Sequence, residues 1–125
     1  MNIPADLLYT KDHEWIRVKD GIGVIGITDF AQSQLGDIVF IEIETVGETL
    51  QKGETFGTIE AVKTVSDLFM PVSGEVIEAN PVLENSSDLI NSDPYGEGWL
   101  IKVKIADAAE LSGLMSAEEY KSICQ

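Results

Sequence analysis

The chain has 125 residues, which the usual length relation reads as one domain, and its 8 basic and 22 acidic side chains give a formal net charge of −14. That charge excludes nucleic acid and anionic membranes as partners, because both are polyanions that such a surface repels, and it leaves basic protein faces open. A single cysteine, Cys124, rules out an internal disulfide, and a single histidine, His13, leaves a zinc site to be built almost wholly from carboxylates, so metal and disulfide staples are discounted.

There is no apolar run of the ~18 residues that a membrane helix needs. The opening MNIPADLLYTKDHEW lacks the basic region and long apolar run of a secretory signal. The expectation is a soluble protein of a bacterial cytoplasm, or of the mitochondrial matrix if the chain is a processed eukaryotic one.

In chain order, residues 14–28, EWIRVKDGIGVIGIT, predict a hairpin. Apolar and polar positions alternate, Asp20-Gly21 offers a glycine tolerant of positive φ, and β-branched residues follow. Asp29 and Gln32 stand at capping spacing and predict a short helix ended by Gly36. In DIVFIEIE the unbroken apolar run 38–41 predicts a strand buried on both faces, fading to alternation at Glu42 and Glu44. Gly47 and Gly53 predict turns around ETLQK. Two strand-like arms, 55–61 and 65–70, put Val62-Lys63-Thr64 at a hairpin tip, and Pro71 and a Ser73-Gly74 turn lead to a strand over 75–78. Beyond Asn80-Pro81, the residues Asn85, Ser86, Ser87 and Asp93-Pro94-Tyr95-Gly96 predict loops, and GWLIKVK a last strand. The tail predicts two short helices, one near 107–112 stopped by Gly113, the other opened by a Ser116–Glu119 capping box. Many short strands between glycine turns make a small β sandwich or barrel with helical trimmings.

GIGVIG, residues 21–26, matches the dinucleotide fingerprint letter for letter. That fingerprint works only between a buried strand and a helix whose first backbone donors hold pyrophosphate. Here Glu14, Arg17 and Lys19 precede it, and Ile22, Val24, Ile25 and Ile27 spell a strand, so the glycines are read as packing and turn positions. His13 with Glu14, or His13 with Cys124, has the residue types of acid–base or thiol catalysis. Nothing in the spacing brings the two ends of the chain together, and a surface histidine and a packed tail cysteine are the simpler reading. Glu14 adjoins Trp15 at a strand start, where an aromatic wall would line a shallow cleft.

Lys63 stands alone, with Lys52 and Lys102 as the nearest basic residues on either side. With carboxylates such as Glu60 near, its charged form is favoured, and it lacks the desolvation or neighbouring cation that activates a nucleophilic lysine. An ordinary surface lysine, an acid-pairing lysine and a site acylated by another enzyme all remain open on these grounds.

A lysine at a hairpin tip between glycine turns at Gly53-Glu54 and Gly74 is the layout of biotinyl and lipoyl carrier domains. Val62 and Thr64 replace the methionines that flank biotin-bearing lysines. The segments YTKDHEW, GITDFAQSQLGDIVF, IEAVKTVSDLFMPVSGEVIEAN, DPYGEGWLIKVK and LMSAEEY, in this order from about residue 8 to the end, resemble the H proteins of the glycine cleavage system. Ala61, where many members have serine, and Thr64 are small departures that leave the lysine in place.

The resemblance implies a mainly β barrel-sandwich hybrid of short antiparallel strands with a short internal helix and C-terminal helices. It implies one lipoyl-carrier domain over 1–125, with a core over about 14–104 and a helical tail over about 106–124. It also implies a monomeric non-enzyme carrying lipoic acid in amide linkage on Lys63 (N6-lipoyllysine), loaded by lipoate-attaching enzymes. The arm would carry the aminomethyl group of glycine between glycine decarboxylase, aminomethyltransferase and dihydrolipoyl dehydrogenase. The expected cargo amine is cationic, and Glu14 and Asp67 are the candidates to hold it in a cleft. An H-like lipoate relay, donating lipoyl groups to 2-oxoacid dehydrogenase acyltransferases, is the alternative with the same anchor. An unmodified β-rich interaction module is the alternative of another class.

Overall fold

The computed structural model describes residues 2–124. Its elements are β1 (Leu8–Tyr9), β2 (Glu14–Lys19), β3 (Ile22–Ile27), α1 (Asp29–Leu35), β4 (Ile38–Glu42), β5 (Thr49–Leu50), β6 (Thr55–Ala61), β7 (Val65–Phe69), β8 (Gly74–Ala79), α2 (Leu89–Ser92), β9 (Ile101–Ile105) and α3 (Ala117–Ile123). Two 3-10 segments, Pro81–Glu84 and Ala108–Gly113, join them. All pairings are antiparallel, in a six-stranded sheet ordered β1-β2-β3-β9-β8-β5 and a three-stranded sheet ordered β4-β6-β7. No helix among the described residues is long and apolar enough to cross a membrane.

The mainly β expectation holds, and its physical cause is visible in the hairpins. Asp20 at φ 53° and Gly21 at φ 79° give the two positive dihedrals of a tight turn whose twist matches the flanking strands. In GIGVIG, Gly21 belongs to the turn and residues 22–26 are strand, pairing with β2 on one side and, over 22–25, with β9 on the other. Gly26 is needed because the indole of Trp15 lies across it: a Cβ there would stand 2.7 Å from the ring.

The period of two along β2 divides the interior into two clusters. Ile16 faces the smaller sheet and packs with Ile25, Val103, Phe56, Ile59 and Leu68. Trp15 faces the other way, into a second cluster with Leu7, Tyr9, Ala117 and Tyr120, so α3 covers the outer face of β1 and β2.

Several local expectations are corrected. The cap of α1 is Thr28, whose hydroxyl accepts from Ala31 N, while Asp29 is already helical and accepts from Gln32 Nε2 at 2.8 Å. Gly36 does end that helix, at φ 82°. β4 is an edge strand, buried at Ile38 but exposed at Val39 and Phe40, because a register shift between Ile38 and Phe40 turns part of the apolar run outward. The loop-rich stretch after Asn80 contains a 3-10 turn and α2, and the two-residue strands β1 and β5 were not signalled at all. In the tail the reciprocal Ser116–Glu119 capping box opens α3 as expected, while the expected helix near 107–112 is a 3-10 segment that Gly113 does not stop: it includes Gly113 and ends at Leu114.

Candidate functional site

β6 and β7 pair from Thr55↔Phe69 to Glu60↔Val65, and Ala61 N donates to Thr64 O at 2.8 Å to close the tip. Lys63 is exposed there, with Val62 75% exposed beside it. The tip is braced rather than free: Val62 N donates to Asp37 O at 3.1 Å, tying it to the segment after α1. The lysine stem leans the same way. Its Cε lies 3.4 Å and its Nζ 3.8 Å from where a Cβ on Gly36 would stand. The end of α1, whose last turn has no basic residue of its own, thus receives a cation from across the fold.

Below this point α1 and β7 diverge around a cleft of about 320 Å³. Phe30, Ala31, Gln34 and Leu35 of α1 form one wall, and Ser66, Asp67 and Leu68 of β7 the other. Ile27 and Ile59 also line it, together with Asp12, His13 and Glu14. The structure therefore brings two of the sequence candidates, Glu14 and Asp67, onto one cavity whose flanking elements lead to Lys63.

The two acids differ in environment. Asp67 is exposed. Glu14 is 2% exposed, at the strand position that faces the smaller sheet. One carboxyl oxygen accepts from Phe69 N at 2.7 Å, and the other stands 3.4 Å from Thr10 Oγ1. Burial pushes its pKa up to about 8, with Asp12 adding to the rise and the bonds from Phe69 and Thr10 opposing it. Below that pH, Glu14 is mostly a neutral acid.

Sequence reasoning placed the aromatic and the histidine wrongly. Trp15 is fully buried on the opposite face, donating its indole N–H to Pro94 O at 3.0 Å, and the cleft aromatic is Phe30. His13 is half-buried on the cleft rather than a plain surface residue, and burial lowers its pKa against the pull of Asp12. It sits at φ 66°, a left-handed turn that breaks strand alternation and lets His13 and Glu14 line the same cavity. Its ring packs on Phe30 at 4.8 Å and its Nδ1 is 2.7 Å from Tyr120 Oη of α3. The tail and the start of β2 therefore do meet, through Tyr120. Cys124, half-buried, packs with the second cluster as a small apolar residue. No spacing rule signals a lone left-handed histidine in DHEW.

A family model described as "Glycine cleavage H-protein" matches residues 7–125. The chain belongs to the glycine cleavage H-protein family. Among relatives, it is 61% identical over 123 residues to the glycine cleavage system H protein of Bacteroides fragilis, covering 98% of each chain. The protein of the same name from Bacteroides thetaiotaomicron is 62% identical over 123 residues, again with 98% of each covered. A crystal structure of a glycine cleavage system H protein from Mycobacterium marinum superposes with a TM-score of 0.88 at 43% identity, covering 96% of this chain and 97% of that one. Family membership thus spans the hairpin tip, α1 and the cleft together.

Proposed function

We propose that this member of the family is a non-catalytic lipoyl carrier of glycine cleavage, working as one carrier domain in a bacterial cytoplasm. Lys63 takes lipoic acid in amide linkage from a lipoate-attaching enzyme. The cleft beside it shelters the aminomethyl group of glycine in transit among glycine decarboxylase, aminomethyltransferase and dihydrolipoyl dehydrogenase. The observation that carries this reading is an exposed lysine braced at a hairpin tip and leaning over the end of a helix that walls a cleft containing a buried acid.

The dimensions suit that group. From Cα to sulfur, a lipoyllysine has about 12 single bonds and extends roughly 15 Å. At about 3.3 Å per residue, the distance from Lys63 along β7 is at most roughly 13 Å to Asp67 and roughly 20 Å to Phe69, whose N–H Glu14 accepts, so the sulfur passes Asp67 and its cargo extends towards Glu14. Acylation removes the lysine charge, so an apolar stem lies against Ala31, Leu35 and Leu68 while the polar cargo comes abreast of Asp67 and Glu14. When bound, the dithiolane supplies reversible sulfur chemistry; the chain supplies its tether and shelter.

Glu14 suits a cargo that comes and goes. Neutral when no cation is beside it, it does not leave a bare buried charge behind. A cationic amine seated beside it favours the ionised form, so its proton leaves as the cargo arrives. Tethering keeps the sulfur end at high effective concentration for each partner in turn.

Intact mass after coexpression with a lipoate ligase tests the anchor. The wild-type chain is expected to gain one lipoyl mass and Lys63→Arg none. A wild-type chain that stays bare, or a variant that still gains the mass, would overturn the assignment.

A further inference from the structure

Resting on the carrier reading of the cleft, we infer that Tyr120 is a positioning residue for the cargo: from α3, its hydroxyl ties the start of α1 to the turn that carries His13 and Glu14, and so fixes how the His13 imidazole stands beside Glu14. The Oη atom is 2.7 Å from His13 Nδ1 and 2.6 Å from Thr28 Oγ1. His13 belongs to the turn that delivers Glu14, and Thr28 caps α1, one wall of the cleft. One hydroxyl from a third element therefore joins the turn to the start of the helix.

The wall residues are held from their own side as well. Thr10 Oγ1 accepts from Asp12 N and Glu14 N, both at 3.2 Å, His13 N donates to Thr10 O at 3.1 Å, and Thr28 N donates to His13 O at 3.0 Å. These bonds shape the left-handed turn but leave the imidazole free to rotate about its own side-chain torsions. The Tyr120 bond stops that rotation, with the Phe30 ring packed against the imidazole and the Tyr120 ring in a T-shaped contact with it.

The hydrogen order follows from satisfaction. Thr28 is fully buried, its oxygen already accepts from Ala31 N, and Tyr120 Oη is the acceptor left to it among the described residues. The order that satisfies all three groups runs from Thr28 to Tyr120 and from Tyr120 to His13 Nδ1, leaving the imidazole proton on Nε2, with the Cys124 side chain as the other partner of the tyrosine hydroxyl. Burial raises the pKa of Tyr120, so this hydroxyl stays protonated as the relay requires.

Tyr120 itself is placed by packing. Its ring stacks on Tyr9 with centroids 4.7 Å apart and planes within 8°. Phenylalanine at 120 keeps that stack and loses the hydroxyl alone. Tyr9→Phe is the matched control, because it keeps the same stack and loses a bond to Pro4 O, away from the cleft.

The test uses the lipoylated full-length chain, loaded from labelled glycine by glycine decarboxylase, with cargo loss read as release of formaldehyde. Tyr120→Phe is expected to shorten cargo lifetime roughly tenfold, the rate equivalent of losing about one well-placed hydrogen bond. Tyr9→Phe should leave the lifetime near wild type even where its melting temperature falls as far. Because the chain has 1 histidine, ring-nitrogen labelling reports His13 alone, loaded or not. The wild type should show the Nε2–H tautomer and Tyr120→Phe a mixture. Equal shortening in both variants, an unchanged lifetime in Tyr120→Phe, or an Nδ1–H tautomer in the wild type would overturn the inference. Failure of the wild type to take up lipoate at all would instead overturn the carrier reading on which it rests.

Discussion

At the residue scale, Glu14 makes stability depend on pH in a direction opposite to most carboxylates. Below the ordinary value of 4.5, folded and unfolded chains both hold its proton; between there and about 8 only the folded chain does. Stability contributed by this group is therefore lost as pH rises across that window, and the loss levels off above it. Glu14→Gln removes the slope while keeping an oxygen for Phe69 N. The variant is expected to match the wild type near pH 5 and to exceed it at pH 9 by on the order of a few kcal/mol. Chemical denaturation at the two pH values checks this, and a gap independent of pH would show that burial does not govern the group. The same residue marks how far single positions can be read from sequence. The place of an isolated lysine at a hairpin tip is legible because strand periodicity puts it there, whereas its reading as an anchor comes from the family resemblance. Glu14 was legible as an acid near a cleft, but its near-complete burial depends on β7 closing over it from 55 residues away. His13 was not legible, since a left-handed residue reverses the side that alternation assigns.

Elements differ in how far local sequence determines them. The hairpins were readable because positive-φ turn residues and alternation are local, and so was the capping box at Ser116. The α1 cap shifted by one residue because Asp29 and Gln32 do bond, side chain to side chain, while Thr28 takes the backbone role. The run IVFI misled because continuous apolarity signals double burial only in a central strand, and a bulge on an edge strand turns Val39 and Phe40 outward. The β2–β3 hairpin also makes a sharp prediction. Gly26→Ala sets a methyl group 2.7 Å from an immobile, fully buried indole, so the strands must separate or Trp15 must shift. The expected cost is about 1–3 kcal/mol, measured by thermal or denaturant unfolding, with a blue-shifted tryptophan emission moving towards that of exposed indole. A neutral substitution would mean that the two strands pack less closely than described.

For the whole molecule, a net charge of −14 is a long-range field rather than a set of contacts, and only two ion pairs are formed among the described residues. Such a field steers docking on basic partner faces and is screened within about 8 Å at physiological ionic strength. Turnover of the lipoylated chain by its partners is expected to fall as salt rises from about 0.01 to 0.15 M, chiefly through slower association. A flat salt profile would remove steering from the account. Which strands become neighbours was not legible in the sequence. The larger sheet takes β9 between β3 and β8, and that order is decided by which apolar faces fit, not by any local pattern.

One feature of this topology bears on biosynthesis. Tyr120 is 107 residues downstream of His13 and 92 downstream of Thr28. A ribosome adding roughly 5–20 residues per second delivers the tyrosine on the order of 5–20 s after the segments it joins. The hairpin that presents Lys63 is complete at Phe69, 51 residues before Tyr120, so for roughly 3–10 s it exists without the tyrosine clasp; on the carrier reading, attachment of the cofactor in that interval would precede maturity of the compartment that protects what the cofactor carries.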